Sequence, residues 1–360
     1  MRQRVYLASI ALAVACFAPA ADRTALDDAV GHLQTTAVTL DVVGGLATVH
    51  ELTPGTYRLW AEAPALELRL EVPASTTLEL DFANVLADAR LAVDGAPPVV
   101  PAASPLPTQQ RYRLALAAGT HRLALAPDDA TTRGAFRFGL LSDVQEAIDS
   151  VGDIFGRMAA DASLRFVLSA GDLTQHGTAA ELVRFQHELE ALPVPFYATC
   201  GNHDIGASES LYRDVFGRGN FHFAYRGVHF TLLDSASATV DTGAYAHLDG
   251  WLAEGKPYVH VVAMHIPPLD PVGGRNAAFA SRDEAAGLLE KLAAGGVDLT
   301  LYGHIHSYYA FENAGIPAVI SGGGGAHPER FDGIGRHYVV VTVDDTHIVG
   351  TEMVRVDNGP

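Results

Sequence analysis

Residues 135–172 read AFRFGLLSDVQEAIDSVGDIFGRMAADASLRFVLSAGD. The stretch opens on an apolar strand at 135–141 and closes on a second at 165–170. Between them Val144, Ile148, Val151, Ile154, Phe155 and Met158 recur at helical spacing. Each strand exits into an acid, Asp143 after the first and Asp172 after the second. Strand–helix–strand alternation of this kind predicts an α/β fold.

Working outward, the alternation continues. Strands are predicted at 195–200, 258–264 and 297–302. Thr178 with Glu181, and Ser281 with Glu284, have capping-box spacing, and Gly295-Gly296 ends the second of these helices. The third strand exits into Asn202-His203-Asp204, the fourth into His265, and the fifth into His304 and His306. Ligands of open α/β sheets bind beyond the carboxyl ends of the strands. Five strands thus deliver a set of metal-competent side chains to one edge, an arrangement hard to reach by chance.

The blocks Asp143-Val144-Gln145, Gly171-Asp172, Gly201-Asn202-His203-Asp204, His265 and Gly303-His304-Ile305-His306 resemble, in order, the motifs of the calcineurin-like metallophosphoesterases. The resemblance covers about 135–350, including 223–235 and the stretch around His265-Ile266-Pro267-Pro268. It implies an α/β/β/α sandwich and a site for two divalent metal ions, with Mn, Fe or Zn suited to mixed imidazole, amide and carboxylate donors. By position, it implies Asp143, Gln145, Asp172 and His306 around the first ion. Asp172, Asn202, His265 and His304 fall around the second. Asp172 would bridge the pair, and a shared hydroxide would attack phosphorus in line. The resemblance makes His203 the general acid for the leaving oxygen or a donor to the developing charge; the neighbouring Asp204 is read as orienting it, beside a reading as a loop or cap carboxylate.

Two positions depart from the family pattern. The first motif usually ends in His and here ends in Gln145, a harder and weaker ligand, so a looser first site biased to Mn, Fe or Mg is expected. After Asp172 the chain runs Leu173-Thr174-Gln175-His176. It lacks the acid and Arg of the Ser/Thr protein phosphatases and the Tyr ligand of the purple acid phosphatases. The chain is therefore closer to the small phosphodiesterase-like branch, and a diester substrate is favoured over a monoester.

Ahead of this domain, 22–130 reads as a smaller all-β sandwich. Leu66, Leu68, Leu70 and Val72 alternate with Glu67, Arg69 and Glu71, and similar alternation marks 78–82 and 112–116. An antiparallel arrangement is expected, with the Pro-rich stretch 97–107 as a loop. No chemistry is evident here. A competing function makes this domain an envelope-binding module on a non-catalytic scaffold.

At the N-terminus, Arg2 and Arg4 precede an apolar run and Ala18-Pro19-Ala20, the pattern of a cleaved export signal over 1–20. A second reading of the same stretch is a lipoprotein signal ending at Cys16. Both place the protein outside the cytoplasm, in the periplasm or beyond, with a membrane link only through lipid on Cys16. With Lys+Arg 24 against Asp+Glu 42, the net charge of −18 argues against a nucleic-acid binder. The expected partner is a small phosphoester, a nucleotide or phospholipid headgroup. Cys200 reads as a buried strand-end thiol and Gly322–Gly325 as a flexible rim loop. His327, Arg275 and Asn276 are candidate substrate contacts beside a default of solvated loops. His222, His229, His247, His260, His337 and His347 read as structural.

Overall fold

Period-two alternation becomes two facing sheets in the N-terminal part of the chain. The computed structural model describes residues 23–356 apart from 207, 209, 274, 275 and 331. The predicted export signal, Cys16 and Arg275 lie outside these described residues. After a short helix α1 (Arg23–Ala29) come β1 (His32–Gln34), β2 (Thr39–Gly44), β3 (Ala47–Thr53), β4 (Thr56–Ala61) and β5 (Leu66–Val72). Then follow β6 (Thr76–Ala83), β7 (Ala89–Val93), β8 (Gln109–Leu116) and β9 (Gly119–Pro127). One sheet has the order β1-β2-β5-β9-β7 and the other β3-β4-β6-β8. In β5 every apolar residue is buried and every charged one exposed, as the alternation predicts. The expectation of a purely antiparallel sandwich is corrected at one pair, because β4 and β6 run parallel. The cause is topological: β5, which lies between them in sequence, belongs to the opposite sheet, so β6 returns beside β4 in the same direction.

The C-terminal part contains β10 (Phe136–Leu140), α2 (Gly152–Ala159), β11 (Leu164–Ser169), α3 (Ala179–Glu188), β12 (Phe196–Ala198) and α4 (Ser210–Phe216). It continues with β13 (Phe221–Tyr225), β14 (Val228–Leu233), α5 (Thr242–Gly255), β15 (Val259–Met264) and α6 (Arg282–Gly295). It ends with β16 (Leu299–Tyr302), β17 (Tyr308–Asn313), β18 (Ile316–Ser321), β19 (His337–Val343) and β20 (Ile348–Arg355). The sheets are β12-β11-β10-β19-β20 and β13-β14-β15-β16-β18-β17. Phe138 and Phe166 of the first meet Phe230 of the second, with centroids 5.4 Å apart in both pairs. Separate cores pack α2 and α3 on the first sheet and α5 and α6 on the second. Four layers, α/β/β/α, result. The central strands β14 and β15 are buried at every residue, which explains their continuous apolar runs.

Local signals also hold, with refinements. Thr178 and Glu181 form a reciprocal capping box. Ser281 caps α6 by accepting from the Glu284 amide, but the Glu284 carboxylate turns instead to Thr239 and the Val240 amide. The single helix expected after β10 is interrupted: 145–150 is a tight 3₁₀ turn and α2 begins only at Gly152.

Helix α1 precedes the β-sandwich but is fastened to the α/β domain. Arg23 makes a two-pronged contact with Asp234 (2.6 and 3.1 Å), and Arg213 bridges Asp27 (2.9 Å) and Asp234 (3.2 Å). All four side chains are buried. Removing one member of such a buried pair typically costs about 3–5 kcal/mol, because the remaining charge is stranded. The sandwich is joined to the same domain by Asn84, which mimics a strand residue. Its side chain accepts from the Phe196 amide (2.7 Å) and donates to the Phe196 carbonyl (2.8 Å). The exposed edge of β12 is thereby closed.

Candidate metal centre

The turns that follow β10, β11, β12, β15 and β16 meet at one point. Asp143, Gln145, Asp172 and His304 stand there with left-handed backbones (φ 63°, 47°, 56° and 69°). They are four of the ten non-glycine residues with positive φ among the described residues. Strain of this kind costs of order 1–3 kcal/mol per residue and persists where neighbours impose it. Here the turns impose it on one another. The Val144 amide donates to the Asp172 carbonyl (2.8 Å), the Gly303 amide to the His265 carbonyl (3.1 Å), and the Ala326 amide to the Asp143 carbonyl (2.9 Å). Gly201 permits the closest approach, since a Cβ there would overlap the Asp172 carboxylate.

Asp143, Asp172 and His265 are wholly buried and present ligand atoms within 4.8 Å of one another. The Asp172 carboxylate is the hub. One oxygen accepts from the His203 amide (2.8 Å); the other faces Gln145 Nε2 (2.8 Å) and His265 Nε2 (3.2 Å). Asn202 Oδ1 lies 3.1 Å from His265 Nε2, and Gln145 Nε2 lies 3.2 Å from His306 Nε2. His306 Nε2 is 3.5 Å from Asp143, and the His304 ring packs edge-on against His265 at 5.1 Å. A half-turn of the Gln145 amide would present its oxygen to the same point. All seven predicted donors are thus brought together.

The histidines share a pattern. His265 Nδ1 is held by the Ala170 carbonyl (2.8 Å), and His306 Nδ1 by the His327 carbonyl (2.7 Å). Each carbonyl keeps a proton on Nδ1 and leaves the Nε2 lone pair facing the carboxylates, as outer partners do for metal-binding histidines. His203 Nδ1 is likewise bound to the Gln175 carbonyl (2.8 Å), with the ring at the half-buried rim.

The electrostatics call for positive charge. Burial raises the Asp143 carboxyl, although His265 and His306 oppose it. Burial also acts on Asp172, but the His265 imidazole and the His203 amide outweigh it and hold Asp172 well below the ordinary range. His265 resists its own burial and rises to about 9 because Asp172 and Asp143 face it. Without another cation, a protonated imidazole must balance the buried carboxylates. Divalent ions fit this donor set in both charge and chemistry.

Asp204 requires correction. Its carboxylate accepts from the amides of Gly201 (2.9 Å), Leu173 (3.2 Å) and Thr174 (2.9 Å) and from the Thr174 hydroxyl (3.0 Å). These bonds consume its oxygens, so the His203 ring is oriented by the Gln175 carbonyl instead. Burial and the Asp172 charge push Asp204 up to about 6 against the pull of those amides. Its work is to tie the turn after Asp172 to the turn after β12. Asp204→Ala leaves three buried amides without an acceptor and is expected to cost about 3 kcal/mol. A urea melt with unchanged slope and a lower midpoint checks this.

Other expectations resolve as follows. Gly322–Gly325 is no flexible rim: Gly322 and Gly324 lie buried against the Ile305 and Ser142 carbonyls, with no room for a side chain. The His327 side chain points outward beside Glu146, and only its carbonyl serves the centre. Cys200 is a buried thiol whose ionisation burial disfavours. The carbonyls of Ala170, Gln175 and His327 escaped the sequence reading because a backbone acceptor has no residue-type signal.

The family description "calcineurin-like phosphoesterase" matches residues 136–308. That match spans just under half of the chain. A 3',5'-cyclic-nucleotide phosphodiesterase of Nostoc sp. is 28% identical to the chain over 160 residues. That match covers 41% of this chain and 57% of the relative, so the chain spans just over half the length of that curated relative. Among solved structures, PhoD aligns at 12% identity over 81% of this chain and 87% of its own, with a TM-score of 0.49. A dimetal phosphatase from Danio rerio aligns at 15% identity over 62% of this chain and 99% of its own, with a TM-score of 0.45.

Proposed function

We propose that the chain is an exported, metal-dependent phosphoester hydrolase that favours phosphodiesters. The observation that carries the reading is the pair of histidines, His265 buried and His306 half-buried, each fixed by a carbonyl at Nδ1 and aimed by Nε2 at Asp143 or Asp172. Asp143, Gln145, Asp172 and His306 would hold one divalent ion, and Asp172, Asn202, His265 and His304 the other. When bound, the ions would withdraw charge from the phosphate oxygens and acidify a water for attack on phosphorus. The remaining work falls to the chain. Asp172 fixes the spacing of the two halves of the site, because both donor sets include it. The His203 ring, held at Nδ1 by the Gln175 carbonyl, keeps Nε2 free of that contact and would protonate the leaving oxygen from there. The strand-end turns exclude water from the carboxylates and leave His203 at the open rim.

Preference for a diester draws support from the phosphodiesterase relative. The signal read at 1–20 supports export. The test uses protein stripped of metal and then given Mn²⁺, with Asp172→Asn as the blank. Hydrolysis of an aryl phosphate diester is expected to exceed that of the matching monoester and to vanish in the blank. No hydrolysis of either ester, with two ions shown to be bound, overturns the reading.

A further inference from the structure

Three histidines that read as structural in the sequence converge far from the strand-end turns. Register places His222 of β13 opposite Thr231 of β14, and Ala224 opposite His229. His229 pairs in turn with His260 of β15. With period two, His222, His229, Thr231 and His260 share one face of the sheet. That face packs against α5, which contributes Trp251 and Glu254: the Trp251 ring stacks on His222 with centroids 6.0 Å apart. His260 stands near the start of β15 and His265 just past its end, so this cluster lies roughly 16 Å from the strand-end centre at 3.3 Å per residue.

We propose that His222, His229 and Glu254 form a further metal site, separate from the strand-end centre, for a divalent transition ion of the zinc class. Their ligand atoms lie within 4.8 Å of one another. His222 Nε2 and His229 Nδ1 are 3.0 Å apart, close to the roughly 3.3 Å edge of a tetrahedron with 2.0–2.1 Å bonds. His222 Nδ1 contacts the Thr231 hydroxyl (2.9 Å), which also contacts His260 Nε2 (2.8 Å). With the His222 proton donated to Thr231, its Nε2 lone pair faces His229 and Glu254. This is the outer support that orients a ligating imidazole. Two imidazoles and a carboxylate suit zinc-class ions and leave a fourth position for water. His229 is buried while Glu254 is exposed, so an ion would enter from the solvent side of α5. Once bound, it would tie the edge hairpin of the sheet to that helix.

The full chain is stripped of metal and dialysed against Zn²⁺, and bound zinc per chain is counted. The same is done for Glu254→Ala, for His222→Gln, and for both in the Asp172→Asn background. Each substitution is expected to remove one zinc equivalent, whatever the strand-end centre holds. Glu254 is exposed on a helix, so its replacement by alanine tests the site even if His222→Gln fails to fold. Equal zinc counts with and without Glu254→Ala overturn the proposal and leave a plain hydrogen-bonded histidine pair. The Asp172→Asn background separates this outcome from any failure of the strand-end reading.

Discussion

Asp172→Asn is expected to lower turnover by more than about 100-fold and to reduce bound metal below two ions per chain. Loss of an outer partner typically costs about 10–100-fold in metal affinity or activity. Asp172 stands inside that shell, with one oxygen facing Gln145 and His265 and the other fixed by the His203 amide. Asparagine keeps the volume and one oxygen but removes the negative charge. It also deprives His265 of the main charge that raises it to about 9. The damage therefore falls first on cation binding, since the side-chain volume is kept. Steady-state kinetics alongside metal analysis decides the matter. Full turnover in this variant removes Asp172 from the mechanism.

His203→Gln is expected to lower kcat by about 10²–10⁴-fold on a diester with a poor leaving group. The loss should shrink on a good leaving group, which departs without a proton. Metal content should stay at the unsubstituted level, for a structural reason. The tie between residue 203 and Asp172 is made by the backbone amide, which survives any substitution. The ring itself bonds the Gln175 carbonyl rather than a carboxylate. An equal loss across leaving groups would show that His203 positions the substrate and does not act as the acid.

Much of this molecule was legible before its coordinates. The buried strands β14 and β15, the alternating β5 and the Thr178–Glu181 capping box follow from periodicity and local hydrogen bonding, which act over a few residues. The centre was legible for a related reason. In an α/β sheet the strand exits share an edge, so acids, amides and histidines at those exits must meet.

What escaped depends on distance in sequence. Asp204 reads as a helper to His203 because the two are adjacent. Only the folded turns show its oxygens spent on the Leu173 and Thr174 amides. Likewise, α1 precedes the sandwich in the chain but is drawn to the other domain by buried charges contributed by Arg213 and Asp234. The parallel pairing of β4 and β6 was hidden because β5 crosses to the other sheet. Residue type and short-range period were enough to read the two fold classes and to place seven candidate donors at the strand exits. Which carbonyls aim His203, His265 and His306, and which histidines gather against α5, emerged only in the folded chain. Backbone acceptors have no residue-type signature, and sheet register is settled by packing across the whole domain.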